Sequence, residues 1–476
     1  TRGKLNECIV LNPPFTEYGG LEGHGGKSAP INLGYLAAYL REKSSHSCKI
    51  LDAEALELSY EMVEKEIRKI NPDIIAMTAP TPAFQQVIDI ANIIKNKISK
   101  DIIIIVGGPH PSVFPEETIK IEPIDFIVAG EGEITFYELV EALDKKKDLH
   151  EVAGIVFMDN GRIIKTRPRE FINNLDILPF PARDLMPQHL YAAPPTKKVS
   201  EFHGTSIVSS RGCPFNCTYC IPNVIWKRRY RARSPKNLVD EIETCVKKYN
   251  LREFNFHDEL FTTLKERTIE ICREIKKRKL NIAWVCMSRT DFVPEDVLRE
   301  MKSAGCKKIM FGIESGSKDI LRAMRKNVNL EQAKEAVKLV KKVGIDVAVN
   351  FMFGYIGETE ETIRQSIRLA KELDADTTAF LVASPYPGTD FYNIAKEKGY
   401  FREGYDWKDF TLVSKDNVPV LNLPGLDAER VLYWQKRAYR EYYLRPKYIL
   451  RKIGGIRSLG DLKNLFGGLK LFFRIQ

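Results

Sequence analysis

Short apolar runs rich in β-branched residues alternate with segments of helical apolar spacing from the start of the chain. In the N-terminal part the runs at 8–11, 48–51, 74–77, 102–106 and 124–128 read as strands. Between and after them, helical spacing covers 33–42, 60–70, 83–98 and 135–143, with a turn and helix around 116–121. Strands that are apolar throughout, each followed by a helix, predict a parallel sheet covered on both faces. A hairpin follows at 152–166, turning on Asn160-Gly161. Next comes a stretch studded with Pro168, Pro179, Pro181, Pro187, Pro194 and Pro195 and anchored by Leu175, Leu178 and Phe180, which reads as a connector clamping two domains. The alternation then resumes. Strands are expected at 205–209, 253–257, 282–286, 308–313, 347–353 and 377–382, and helices at 237–249, 265–277, 294–304, 330–343 and 359–373. Six β/α repeats predict an incomplete parallel barrel, open at one side. The end of the chain is expected to be mainly helical, most clearly at 427–443. Its Trp434, Tyr439, Tyr442 and Tyr443 are expected in core or cavity wall.

The fold class is therefore α/β, with a doubly wound, Rossmann-like domain at 1–150, a hairpin and proline-rich linker at 151–200, a partial (β/α)6 barrel at 201–390 and a helical segment at 391–476. A chain of 476 residues has room for this many cores. No apolar run reaches the roughly 18 residues of a membrane span, and the first residues carry no signal-peptide pattern, so a cytoplasmic protein is expected. The net charge of +10 is concentrated: from Leu426 to Gln476 twelve Lys or Arg face four Asp or Glu, a surplus of eight. That excludes a general nucleic-acid surface and points to a local anionic partner. As an amphipathic helix the basic tail would lie on an anionic membrane; as a helix docked on the barrel it would turn a basic face to solvent.

Four loops fall at the carboxyl edge of the first sheet, where doubly wound folds bind ligands. They are Asn12-Pro13-Pro14, Thr78-Ala79-Pro80-Thr81, Gly107-Gly108-Pro109-His110 and Gly130-Glu131-Gly132-Glu133. One such loop would mean only a tight turn. Four at one edge allow the backbone to approach a bulky ligand. No G-x-G-x-x-G follows the first strand, which disfavours a dinucleotide as that ligand.

Cys213, Cys217 and Cys220 follow the first strand of the barrel with the spacing C-x3-C-x2-C. Three thiolates so close can hold three irons of a cubane cluster and leave the fourth iron open. A structural zinc loop needs a fourth ligand at short spacing, which neither 226–230 nor the preceding residues supply, His203 apart. A disulfide would leave one thiol over. The other six cysteines stand singly in apolar or helical contexts and read as small buried residues.

The sequence SRGCPFNCTYC, with aromatic Tyr219 before the last cysteine, resembles the radical S-adenosylmethionine (SAM) superfamily. Upstream, LNPP, NLGYLAAYLRE, KILDA, PDIIAMTAPT, IVGGPHPS and VAGEGE resemble the cobalamin-binding domain of one subgroup, which includes the anaerobic magnesium-protoporphyrin IX monomethyl ester cyclase and cobalamin-dependent methyltransferases; the connector NLDILPFPARDLMP is typical of it too. The resemblance implies a corrinoid tail beside Thr78, Thr81, Gly107 and Gly108, with Asn12, Pro13, Pro109, His110, Gly130, Glu131 and Gly132 completing the edge. The D-x-H-x-x-G of cobalamin mutases is missing, so the cobalt is expected to lack a protein histidine, and His110 has a second reading as a local hydrogen-bonding residue.

In the barrel the resemblance runs through FHDELFT, SRTD, FGIESG, GYIGET and SPYPGT. It implies SAM contacts at Tyr219, Asp258 and Glu259 (ammonium), Ser288 and Arg289 (carboxylate), Glu314 (ribose), Gly354 and Ile356 (adenine), and Pro385. Arg325 is a further candidate that equally reads as solvent-facing. The implied enzyme is oxygen-sensitive, takes electrons from a flavodoxin or ferredoxin, and cleaves SAM reductively to a 5′-deoxyadenosyl radical. It then modifies an unactivated carbon, by methyl transfer through methylcobalamin or, alternatively, by oxidative cyclisation. A membrane-bound tail would imply a lipid or tetrapyrrole-like substrate. RNA methylthiotransfer is disfavoured because the N-terminal half holds only Cys8 and Cys48. A non-catalytic corrinoid or cluster sensor is the reading from another class, and the full set of SAM residues argues against it.

Overall fold

The computed structural model describes residues 5, 7–14, 27–193, 197–411 and 418–454. The chain divides after Tyr191 into two units. In the first, β1 (Glu7–Asn12), β2 (Ser47–Asp52), β3 (Ile74–Thr78), β4 (Ile103–Gly107), β5 (Phe126–Val128), β6 (Ile155–Asp159) and β7 (Arg162–Lys165) form one sheet in the order β2-β1-β3-β4-β5-β6-β7. β1 to β5 are parallel. The chain winds outward from β1 to β2, then back past β1 to β3, so the strand order reverses between β1 and β3. The four loops singled out above lie at or near that carboxyl edge. Helices cover both faces as the spacing predicts; Tyr60–Ile70, for example, is capped by Ser59 and buries Val63 and Ile67.

The hairpin is more than a connector. β6 pairs antiparallel with β5, and Ile155, Val156 and Phe157 are buried, so the hairpin extends the first sheet. Asn160 (φ 46°) and Gly161 (φ 76°) both adopt the left-handed region that a two-residue turn of this kind requires. The proline-studded stretch also packs onto this unit. The Ala182 amide donates to the Gly34 carbonyl (3.0 Å), and a Cβ on Gly34 would stand 2.9 Å from that of Pro181. Pro194 and Pro195 lie outside the described residues.

The second unit holds β8 (Gly204–Ile207), a two-stranded ladder of β9 (Ser210–Arg211) and β10 (Arg231–Ala232), then β11 (Glu253–Phe256), β12 (Ala283–Ser288), β13 (Cys306–Glu314), β14 (Asp346–Phe353) and β15 (Thr377–Val382). The main sheet runs β15-β14-β13-β12-β11-β8, parallel throughout, with no pairing between β8 and β15. This is the open six-stranded barrel expected. Alternation along its strands separates two faces. Phe254, Phe256, Trp284, Phe311, Phe351 and Phe380 are buried under the helices, whereas Asn255, Met287, Met310, Asn350 and Leu381 keep accessible surface on the inner face.

The helix Ala428–Tyr443 packs on β15. Tyr443 donates to the Thr378 carbonyl (2.7 Å), Tyr442 to that of Ala375 (2.6 Å), and Trp434 is fully buried. The next helix, Pro446–Gly454, is latched to Asp374 by Arg445, Lys447 and Arg451. Its docked face fits the second reading of the tail, while Leu450 and Ile453 stay exposed; the rest of the tail, 455–476, lies outside the described residues. No helix among the described residues is long and apolar enough to cross a membrane.

Candidate active site and ligand-binding edges

The cysteine loop is held from several strand ends. Asp258, just past β11, accepts the Ser209 amide (2.7 Å) and the hydroxyls of Ser209 and Ser210. Glu259 accepts the Gly212 amide (3.0 Å) and the Trp226 indole (2.9 Å). Gly212 itself must be glycine: its φ is +88° and a Cβ would strike the Arg229 carbonyl. Farther along, the Thr218 amide donates to the Met324 carbonyl, the Phe391 amide donates to the Thr218 carbonyl (both 3.0 Å), and the Thr218 and Tyr355 hydroxyls meet. Asn223 closes the loop by donating to the Cys217 carbonyl (2.9 Å).

Burial raises all three thiols; the charge of Cys217 adds to it at Cys213, that of Glu314 at Cys217, and those of Cys217 and Cys213 at Cys220, which is pushed up to about 12. The sulfurs therefore share one neighbourhood. Among the described residues no three His, Cys, Asp or Glu side chains converge as they would on a single ion. Three cysteines on one fixed loop are a donor set that fits a cubane cluster with one open iron.

Around the loop stand the other expected residues. The Arg289 guanidinium lies 3.9 Å from the ring centre of Phe215, between Cys213 and Cys217, and is held by Asp291 (2.9 Å) and the Asn327 carbonyl (2.8 Å). Ser288 is buried against Thr262. Glu314 follows a register shift in β13 and adopts φ +69°, a strained conformation for a non-glycine residue. It bonds the Tyr219 hydroxyl and pairs with Lys326 (3.2 Å). Glu314 and Lys326 fill the space a side chain on Gly312 would need. Ile356 is half-buried, Pro385 buried, and Arg325 exposed in an ion pair with Asp390 (2.7 Å).

Two findings change the expected roles. Asp258 is buried with its oxygens committed to the serine turn, so it serves to hold the cysteine loop and is not free for an ammonium group. Lys326, which sequence reasoning missed, is a buried ammonium beside the cysteines. Burial would lower its pKa, but the charges of Glu314 and Cys217 outweigh that and hold it raised.

Gly354 (φ +87°) turns its amide onto the carboxyl of buried Glu358. Burial pushes that carboxyl from its ordinary 4.5 up to about 8. A raised acid stabilises the fold fully below the unfolded value, and this contribution is lost as pH rises through the folded one. The melting temperature is thus expected to fall between about pH 4.5 and 8, and Glu358→Gln to remove most of that slope. Equal slopes in thermal melts of the two proteins across this range would refute the assignment.

In the first unit the candidate residues split into two sets. Asn12 donates to Asp52 (2.9 Å), which also accepts from Tyr191 (2.8 Å), and Pro13 is buried beside them. Glu131 is buried and accepts the Ile172 amide (2.8 Å). His110 is 2 % exposed, stacked on Phe84 with ring centres 3.9 Å apart and facing Thr81 (3.3 Å). Its burial pushes the imidazole down to about 4. His110, Thr81, Asn12, Pro13 and Glu131 are thus packed inside, and their expected part as ligand contacts gives way to holding the loops. Thr78, Gly107, Gly108, Pro109, Gly130 and Gly132 keep accessible surface. A Cβ on Gly108 (φ +102°) would press on the Ala79 amide at 2.9 Å, while around Gly130 (φ +87°) the space is open. This bare-backbone edge fits a large planar ligand with a tail.

Comparisons with known proteins identify both domains. Residues 207–370 match the radical SAM superfamily and residues 24–140 the B12 binding domain. An uncharacterized methyltransferase of Pyrococcus horikoshii is 35% identical over 94% of this chain and 95% of its own length. The anaerobic magnesium-protoporphyrin IX monomethyl ester cyclase of Rubrivivax gelatinosus is 29% identical over 98% of this chain and 82% of its own. The solved structure of the cobalamin-dependent S-adenosylmethionine radical enzyme OxsB, with aqua-cobalamin and S-adenosylmethionine bound, shares the fold at a TM-score of 0.76 and 19% identity, over 98% of this chain and 71% of that one.

Proposed function

The chain belongs to the radical SAM enzymes that carry a cobalamin-binding domain, and on that premise we propose that it is a C-methyltransferase acting on an unactivated carbon of a substrate with an apolar skeleton. The relation to a methyltransferase over nearly the whole chain is the observation that carries this reading. When bound, the cluster and cobalamin supply the electron and the methyl group.

The chain's own residues bind and orient. Cys213, Cys217 and Cys220 would hold the cluster. Tyr219, Glu259, Ser288, Arg289, Glu314, Gly354, Ile356 and Pro385 would line the SAM site, with Arg289 turning an unspent Nη1 to the carboxylate of SAM. Thr78, Gly107, Gly108, Pro109, Gly130 and Gly132 would receive the corrinoid. The histidines described within residues 1–150 support a cobalt without a protein imidazole: His46 is buried against the Leu5 carbonyl and Glu141, His110 is enclosed, and His150 bonds Asp148. Met287, Met310 and Leu381 give the inner face of the barrel apolar stretches for the substrate. A flavodoxin or ferredoxin would supply the electron, and a membrane contact would use the basic C-terminal end.

Cyclisation is the second reading, favoured by the likeness to the cyclase. Anaerobic reconstitution with iron, sulfide and cobalamin, then analysis of SAM turnover, separates the two. Methyl transfer yields S-adenosylhomocysteine together with 5′-deoxyadenosine, and cyclisation yields only the latter. A protein that binds SAM but retains no corrinoid would sink the methyl-transfer reading.

A further inference from the structure

The short helix Ile221–Trp226 follows the cysteine loop, and the chain then turns through Lys227, Arg228 and Arg229, all three exposed. This turn abuts the cysteine loop. The Arg229 amide donates to the Trp226 carbonyl (2.9 Å). A Cβ on Gly212, the residue before Cys213, would strike the Arg229 carbonyl and stand 3.1 Å from the Trp226 Cβ. The Gly212 amide and the Trp226 indole also share one acceptor, the Glu259 carboxylate. Cys213 itself is only half-buried, so the turn lies where the cysteine loop comes near the surface.

The turn belongs to the most one-sided stretch of the barrel. From Phe202 to Val239 the chain carries seven Lys or Arg and no Asp or Glu. Arg211 and Arg231 lie over the Trp226 ring, 5.9 and 5.3 Å from its centre. Arg233 is buried in an ion pair with Glu241, and Lys236 pairs with Asp240. Lys227 and Arg228 differ: among the described residues neither side chain has a hydrogen bond, ion pair or ring contact. They are also the one pair of successive non-glycine residues in the left-handed region there, at φ 47° and 59°. Glycine or asparagine would turn the chain at less cost. What the two long side chains add is charge presented to solvent.

We propose that the turn Lys227–Arg229 is the docking surface for a small acidic protein that carries single electrons. The inference rests on the radical SAM reading, in which each reductive cleavage takes one electron: the carrier is oxidised by one electron and the cluster site reduced by one. A carrier bearing carboxylates around its redox group would be steered to this turn and set beside Cys213. A nucleic acid would call for a longer basic stripe than three successive exposed residues.

The test is calorimetric titration of the reconstituted holoprotein with an acidic flavodoxin and, separately, an acidic ferredoxin, both oxidised, in about 50 and about 300 mM salt. Wild type is expected to bind at least one of them, and more weakly at the higher salt. The double variant Lys227→Glu with Arg228→Glu is expected to weaken that binding about tenfold or more, and to slow SAM cleavage driven by the same carrier in its reduced form. Iron content, SAM affinity and SAM cleavage driven by dithionite, which needs no docking, should match wild type. The same reversals at Lys279 and Lys307, exposed at the amino ends of the barrel strands, should leave carrier binding within about twofold of wild type. Should the glutamate variant lose its iron, Lys227→Gln with Arg228→Gln decides on the same criterion. The proposal falls if wild type binds neither carrier, if the reversed variant binds like wild type, or if the control reversal weakens binding as much. It falls too if dithionite-driven cleavage drops in parallel, since the turn would then only support the cysteine loop. Carrier binding kept in the reversed variant while binding of transfer RNA or anionic vesicles is lost would give the turn to that partner instead. Failure of the enzyme reading would show separately, as wild type that does not cleave SAM with dithionite.

Discussion

Cys217→Ala is expected to remain folded, to lose its iron, and to lose SAM cleavage by at least about a thousandfold, because the cofactor carries the electron the reaction needs. Removing one buried sulfur costs the fold on the order of 1 kcal/mol, too little to unfold a domain of this size. The loop's bonds through Thr218, Gly212 and Asn223 do not pass through the sulfur. Cys272, equally buried within the helix Lys265–Lys277, is the control, and Cys272→Ala is expected to keep iron and activity. Iron and sulfide assays, the absorbance near the cluster band and 5′-deoxyadenosine release decide it. Full iron in Cys217→Ala would remove this loop from the cluster site.

Gly108→Val gives the complementary result. The left-handed φ of +102° costs a β-branched residue on the order of 1–3 kcal/mol. Its Cβ would also press on the Ala79 amide at 2.9 Å. The loop must move, and with it the edge formed with Thr78 and Gly107. Corrinoid retained after reconstitution is expected to fall below about a tenth of the wild-type amount, since every 1.4 kcal/mol is tenfold. SAM cleavage to 5′-deoxyadenosine should persist, because the cysteine loop lies in the other unit. Gly130→Ala, with open space around it, should lose less. Equal corrinoid in Gly108→Val and wild type would exclude this edge as the binding site.

Strand positions could be read from the sequence most directly at β1, β3, β4 and β5, which are short apolar runs that no helix pattern imitates. Tyr60–Ile70, Lys265–Lys277 and Leu330–Val343 fall on the expected bounds, and β15 does too. What escaped the sequence is what depends on partners far along the chain. Asp258 looked like a free carboxylate at a strand end, but its partners stand nearly fifty residues earlier. The hairpin showed its turn plainly, yet its pairing with β5 has no local signature. His110 sat in a glycine turn that suggested exposure, and only the fold puts Phe84 over its ring. Lys326 follows a short helix, in a stretch with no strand-end signal, and its pairing with Glu314 at the end of β13 has no local signature.

The bonds that hold the cysteine loop bear on how a cluster bound there would be rebuilt after loss. Gly212, Thr218 and Asn223 fix the loop through backbone and side-chain contacts that need no metal. Were iron lost from this loop, the cage would therefore keep its shape, and reloading would carry little fresh ordering cost. Damage of this kind is repairable in place: iron, sulfide and a thiol reductant should restore the centre without passing through the unfolded state. Burial, which raises all three thiols, would slow their further oxidation.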